Sequence, residues 1–402
     1  MIKKRTRALQ ICVVLLVQAA SLAVAQPAAF DTTSLQARLD AFIDETGIPG
    51  VGAALIRAEG EPVLAVSGRR AVNDDAKVQV EDLWHIGSIT KSFTATLTAR
   101  LIERGTPLPH APGQRLDWNT RLEQLVPQAK STAYAEVTVR QLLGMRAGLP
   151  ANPPQAWFGP DTRTPDSVRH QRKEVALEIL ASDPTSEPGT AFLYSNGSYI
   201  LLGAALEETL DSSWEDLLRA HVLNPLELGT ADFGPPGTAD RVDQPRGHVG
   251  AKNDELRAVP PNPLADNPPF LGPAGTLHMR LEDLIRYAAF HLDGAMGTSK
   301  TLSADLARHL YEPLEGHAYA SGWIRVPPQE GGQFSGPVLL HNGSNTLWYA
   351  MVMIAPGHRA AAVVTTNAGT HNRPAVDGLT SELLAAFSGL APAQRSDGDG
   401  AP

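Results

Sequence analysis

Trp84-His85-Ile86-Gly87-Ser88-Ile89-Thr90-Lys91 is the stretch on which the reading of this chain turns. A serine stands where a helix is expected to begin, and a lysine follows three residues later on the same helix face. Beyond it, Ile89, Phe93, Leu97 and Leu101 recur every four residues. That spacing predicts one apolar stripe turned into the core and a Ser/Lys face turned elsewhere. Arg104-Gly105 supplies a cationic last turn and a glycine stop. An amine so placed can take the proton of a hydroxyl nucleophile, while the helix N-terminus offers backbone N–H groups to a developing oxyanion. The plainer alternative is a serine that merely starts a helix and a lysine that is a solvated charge. A single Ser-x-x-Lys is common by chance, so the rest of the chain has to decide.

Around this stretch the composition is that of an ordinary globular protein: 402 residues, 43% hydrophobic and 19% charged, enough for a sizeable core or two sub-domains. Residues 1–25 carry Lys3, Lys4, Arg5 and Arg7 and no acid, so the formal charge of −9 becomes −13 once they are removed. An acidic globule argues against nucleic acid or an anionic membrane surface as a partner. The basic start, the apolar run Ile11–Val17 and the small-x-small ending Ala23-Val24-Ala25 predict a secretory signal cleaved after Ala25. The protein is therefore expected in the periplasm or secreted, with no membrane attachment after cleavage. Cys12, the only cysteine, lies inside that segment, which removes disulfides, thiol catalysis and cysteine-ligated zinc from the mature chain. No metal or cofactor is expected.

Along the chain, Thr33 to Glu45 is an amphipathic helix with Leu35, Leu39, Phe42 and Ile43 on one face. The runs Gly52–Arg57 and Pro62–Ser67, separated by Glu59-Gly60, predict a hairpin. Residues from Val137 onward lead into a helix ending near Gly148. Two long irregular stretches, Ala151–Pro165 and Gly234–Gly275, are either cleft walls or plain surface cover. Strands return at Val338–His341, Trp348–Ile354 and Ala360–Thr366, followed by a closing helix, Val376–Phe387. The expected fold class is mixed α/β (α+β), with an antiparallel sheet built from both ends of the chain, flanking helices and an inserted helical region. In numbers, the expected division is a signal peptide at 1–25, a discontinuous sheet sub-domain at 30–87 and 276–390, a helical sub-domain at 88–275 and a disordered tail at 391–402.

Two further elements accompany Ser88 and Lys91. In Tyr194-Ser195-Asn196 the tyrosine is the only one of seven with Asn two places on. It is either a loop residue beside a helix cap, or a phenol whose pKa a neighbouring lysine ammonium lowers so that it can shuttle protons. His341-Asn342-Gly343 stands at the end of a predicted strand; His-x-Gly also occurs at His85 and His248, so only strand context and late position single it out.

Together, Ser88-x-x-Lys91, Tyr194-x-Asn196 and His341-x-Gly343, in that order, resemble the motif series of the penicillin-recognising serine hydrolases: serine β-lactamases, D,D-peptidases, D-aminopeptidases and related esterases. The flanks resemble its class C-like branch: Ser92-Phe93-Thr94-Ala95, Leu142-Leu143 ahead of Gly148-Leu149-Pro150, Pro225-Leu226 ahead of Gly229-Thr230, and Gly272-Pro273-Ala274-Gly275. The resemblance runs from about Leu39 to Phe387. It implies a β-lactamase/transpeptidase-like fold in which Ser88 is the acylated nucleophile. Lys91 would be its proton acceptor, directly or through Tyr194, and Tyr194 would protonate the leaving group and help activate water. It further implies that Asn196 hydrogen-bonds the substrate, that His341 and Gly343 belong to the substrate-binding strand, and that the backbone N–H groups of Ser88 and Ser344 form an oxyanion hole. Such a donor is worth roughly 3–4 kcal/mol in comparable sites.

One departure from the family pattern matters. Its third motif is usually Lys-[Ser/Thr]-Gly, and no such triplet occurs here. Histidine is mostly neutral near pH 7, so it grips a substrate carboxylate less firmly than lysine. This favours esters, amides or D-aminoacyl substrates over penicillins. No Glu has Asn three places on, so the deacylating glutamate segment of class A enzymes is missing too. Three functions follow: first, an exported serine hydrolase of esters or small amides or peptides; second, a β-lactamase, D,D-carboxypeptidase or D-aminopeptidase; third, a catalytically silent binding protein. The chain contains neither Gly-x-Ser-x-Gly nor His-Glu-x-x-His, which disfavours an α/β-hydrolase and a zinc peptidase.

Overall fold

The computed structural model describes residues 30–158, 168–250, 256–330, 332–369, 371 and 373–390. The expected signal peptide and C-terminal tail lie outside the described residues. Helix α1 (Thr32–Thr46) begins where the Asp31 carboxylate accepts the Ser34 N–H and ends at Gly47, whose left-handed φ of 67° suits glycine. The hairpin follows as β1 (Gly50–Arg57) and β2 (Val63–Gly68). Strand β3 (Leu83–His85) passes through one 3₁₀ turn, Gly87–Ile89, into α2 (Thr90–Glu103).

Mostly helical chain comes next: α3 (Leu122–Leu125), α4 (Val139–Leu143), α5 (Val168–Ala181), α6 (Asn196–Leu210) and α7 (Trp214–Leu218). Strand β4 (Asp232–Phe233) precedes the second irregular stretch, which holds the pair β5 (Gly247–Val249) and β6 (Arg257–Val259) and the single turn α8 (Gly272–Gly275). Strand β7 (Leu277–Arg280) and helices α9 (Leu281–Met296) and α10 (Ala304–Tyr311) lead to β8 (Ile324–Val326), β9 (Val338–Ser344), β10 (Tyr349–Ala355), β11 (Ala360–Thr366) and α11 (Arg373–Phe387).

The main sheet has the order β2-β1-β11-β10-β9-β8 and is antiparallel throughout. The beginning and end of the chain meet where Val51 to Arg57 pairs with Thr366 to Ala360. Strands β10 and β11 are buried at every position, because both sheet faces are covered. Successive residues point to opposite faces. Val51, Ala53, Met351, Met353, Ala362 and Val364 pack with Leu35 and Leu39 of α1 and Leu379 and Leu383 of α11. Ala54, Val352, Ile354, Ala361 and Val363 join Leu284, Ile285 and Ala288 of α9 in the larger core.

The structure corrects several expectations. Helix α2 buries every residue from Thr90 to Ala99 rather than one stripe. Its small side chains allow close approach on all sides, and its hydroxyls are satisfied internally: Thr94 donates to Pro273 O at 2.7 Å and Thr98 to Thr94 O at 2.8 Å. The helix expected to end near Gly148 stops at Gly144. Strand β9 does not end at His341 but runs to Ser344, which pairs with Tyr349. In the stretch expected at Ala151–Pro165, Trp157 and Phe158 stand edge-on to Phe270, each 6.0 Å between ring centres, while residues 159–165 lie outside the described part. Buried Arg172 in α5 joins Glu215 at 2.6 Å and also Glu207, and donates to Phe270 O at 3.1 Å, tying the turn ahead of α8 to three helices.

Candidate active site

The turn between β3 and α2 is held by buried Trp84, Ile86 and Ile89, which leave Ser88 half-buried at the edge of a cleft. Gly87 adopts φ of 50°, and a Cβ there would stand 2.7 Å from Gly343 C. Gly343 meets the same turn from the other side: a Cβ on it would collide with Ile86 O and lie 2.6 Å from Ser88 N. Two glycines thus let β9 lie directly on the backbone of the nucleophile turn. That close approach brings the backbone nitrogens of Ser88 and Ser344 into one neighbourhood.

Lys91 is 0% exposed, so the solvated-charge alternative is excluded. Its Nζ lies 3.0 Å from Ser88 Oγ and donates to Ala274 O at 2.7 Å. The rings of Tyr194 and Tyr199 stand 5.0 and 5.8 Å from it. Burial without a carboxylate partner lowers its pKa from 10.5 to about 7, so near neutrality a large share of the amine carries a free lone pair.

Tyr194 precedes α6. Ser195 caps that helix by accepting the Ser198 N–H at 3.0 Å, and its own hydroxyl donates to Pro150 O at 2.6 Å. The outer part of the Tyr194 ring is open, the residue being 37% exposed, whereas its hydroxyl end is enclosed beside Ser88. Burial raises its pKa to about 12, only partly offset by its hydrogen bond with Ser88. The expected lowering is therefore reversed. Burial disfavours charge on both groups, and a lysine that is itself driven towards neutrality supplies little field to stabilise a phenolate. Asn196, the first residue of α6, does not line the cavity that holds Ser88; its Nδ2 donates to Asn152 Oδ1 at 2.7 Å, in the loop after Pro150.

His341 departs from its expected place. It is 1% exposed and does not line the cavity holding Ser88, because alternation along β9 turns it inward. Its Nε2 meets Tyr319 Oη at 3.1 Å and its Nδ1 meets Asn342 O at 2.5 Å. Burial first and Lys91 second lower its pKa to about 3, so the ring is neutral near pH 7.

The residue that β9 presents to the cleft is Asn342, which strand alternation from His341 would have found. The cleft, with a volume of about 310 Å³, is lined by Ser88, Tyr194, Asn342, Gly343, Ser344 and also Arg373. Arg373 opens α11, donates from Nε to Gly369 O at 2.6 Å, and lies over the Tyr349 ring. Tyr349 in turn donates to Asp377 Oδ1 at 2.6 Å. Starting the last helix at Val376 passes over Arg373. A larger cavity, about 1100 Å³, opens elsewhere between α5, α6 and the 233–237 and 261–269 segments, and contains none of Ser88, Lys91 and Tyr194. The chemistry places the candidate site in the smaller one. Among the described residues, no cluster of His, Cys, Asp or Glu is arranged to hold a metal ion.

An antiparallel sheet with flanking helices, and a serine, a neutral-prone lysine and a tyrosine at one cleft, define a serine hydrolase of the β-lactamase/transpeptidase-like class. The Beta-lactamase family model matches residues 35–387, and the chain belongs to that family, within the penicillin-recognising serine hydrolases. Penicillin-binding protein 4 of Amycolatopsis lactamdurans is 27% identical over 378 residues, spanning 90% of this chain and 91% of that one. Among solved structures, the octameric penicillin-binding protein homologue of Pyrococcus abyssi aligns with a TM-score of 0.72 at 22% identity, over 90% of this chain and 79% of that one. The D-amino acid amidase of Ochrobactrum anthropi aligns with 0.68 at 20% identity, over 88% and 96%. At these identities the two structures speak for the fold.

Proposed function

We propose that this protein hydrolyses esters or small amides through an acyl-enzyme on Ser88, by the tyrosine-based arrangement of the class C-like branch. The observation that carries the reading is the 3.0 Å contact between Ser88 Oγ and a lysine whose pKa is about 7. Neutral Lys91 takes the Ser88 proton as Oγ attacks the carbonyl carbon, and Ala274 O holds the ammonium that forms. The backbone N–H groups of Ser88 and Ser344 stabilise the oxyanion. Tyr194, kept as a neutral phenol, passes a proton to the departing alcohol or amine, and the same groups then activate water against the acyl-enzyme. The pKa order supports Lys91 as the base and Tyr194 as the relay. A fluorophosphonate probe should add to the peptide carrying Ser88, and labelling should vanish in Ser88→Ala. Persistence of the adduct in that variant would reject the assignment.

A second reading concerns the substrate. Arg373 places a cation in the cleft that the His341 motif does not provide, and this favours acyl compounds bearing a carboxylate, β-lactams and peptidoglycan-like peptides included. Arg373→Gln should raise KM for a carboxylate-bearing ester about 10- to 100-fold and leave a neutral ester within about threefold. Equal effects on both substrates would count against an anion subsite.

A further inference from the structure

Behind the nucleophile lies a buried polar cluster that the acyl-transfer steps do not use. His85 ends β3, three residues before Ser88, and its Nδ1 accepts the Gly87 N–H at 3.1 Å. The ring proton is therefore on Nε2, which lies 2.9 Å from Asp266 Oδ1. The same oxygen accepts Asn345 Nδ2–H at 2.8 Å and the Asn267 backbone N–H at 2.7 Å. Asn345 follows Ser344 directly, and its Oδ1 accepts the N–H groups of Leu347 and Trp348 at 3.1 Å each. Asn267 donates from Nδ2 to Gly275 O at 2.7 Å, one residue beyond the Ala274 carbonyl that receives Lys91. His85, Asp266 and Asn345 are all buried.

One carboxylate oxygen thus joins three segments distant in sequence, each beside a different part of the candidate machinery. Through His85 it reaches the turn carrying Ser88; through Asn345, the end of β9 carrying Ser344; through Asn267, the turn carrying Ala274. We propose that Asp266 and His85 are positioning residues, a clamp that fixes the spacing of the two oxyanion-hole nitrogens and holds Ala274 against Lys91. This rests on reading Ser88 as the nucleophile. Neither residue touches the reacting atoms. Their effect arises because an oxyanion site depends on donors preset at the right separation, and small displacements weaken it steeply.

The test compares wild type, Asp266→Ala, Asp266→Asn, His85→Gln and Ser88→Ala by fluorophosphonate labelling rate and by kcat and KM for p-nitrophenyl acetate. Asp266→Ala should label about 30- to 100-fold more slowly, with kcat reduced and KM within about threefold of wild type. Asp266→Asn keeps an acceptor for His85, and His85→Gln keeps both a donor and an acceptor, so each should recover to within about tenfold of wild type. If Asp266→Ala does not fold by circular dichroism, His85→Leu breaks the same link from its other end and is read in its place. Folded Asp266→Ala or His85→Leu protein with kcat within about twofold of wild type, or with only KM raised, overturns the clamp. Labelling that survives in Ser88→Ala overturns the nucleophile assignment instead.

Discussion

Replacing Lys91 by methionine is expected to lower kcat/KM for an activated ester by about 10³-fold while the chain stays folded. Methionine nearly matches the lysine stem and fits between the Tyr194 and Tyr199 rings, so the loss would report the missing base rather than a collapsed pocket. On the proposed mechanism only neutral Lys91 accepts the Ser88 proton. Its pKa of about 7 therefore predicts a rate that rises with pH through neutrality and levels off above about 8.

Stability should respond in a linked way. The unfolded chain keeps the ordinary lysine value of 10.5, so between pH 7 and 10.5 it binds more protons than the folded chain, and wild-type stability rises with pH across that window. The buried amine costs up to about 5 kcal/mol below pH 7 and nothing above 10.5. Lys91→Met lacks this component and should be the more stable protein at pH 6, even with Ala274 O left without its donor. Urea titrations at pH 6 and pH 9.5 read the difference. A variant retaining more than about a tenth of the wild-type rate would remove Lys91 from the proton transfer.

The second large effect is expected from Gly343→Ala. One added methyl would collide with Ile86 O and stand 2.6 Å from Ser88 N, both backbone atoms with no side-chain freedom to yield. Either β9 moves away from the nucleophile turn or the turn itself distorts. Both separate the Ser88 and Ser344 nitrogens. Acylation should fall at least about 100-fold, the loss associated with one oxyanion donor, and unfolding free energy should drop by about 2–4 kcal/mol. Labelling rate and urea midpoint measure the two together. A fully active, equally stable Gly343→Ala protein would show that the two segments are not in the close contact described.

What the sequence disclosed, and what it withheld, follows from the range of the interactions involved. Ser88, Lys91 and Tyr194 announce themselves through short motifs because each is placed by its own turn or helix end. The strands at both ends were readable from apolar runs, and β11 begins and ends where its run and the turn residues before it place it. The lowered pKa of Lys91 was not readable, since it comes from burial completed by segments distant in sequence, those carrying Tyr194, Tyr199 and Ala274 among them. The inward turn of His341 depended on β9 continuing to Ser344, a pairing set by β10 rather than by local composition. Asp266 and Arg373 have no local signature at all. Their roles exist only once the 260–268 segment and the start of α11 are laid against the cleft.

The pairing of β1 with β11 also bears on how the molecule comes into being. Arg57 and Ala360 are partners across about 300 positions, so the central seam of the sheet cannot close on the ribosome until β11 has emerged. Ser88 is synthesised early but gains its neighbour Ser344 only at that late moment. On the proposed mechanism, nascent and truncated chains that stop before β9 lack the Ser344 half of the oxyanion site.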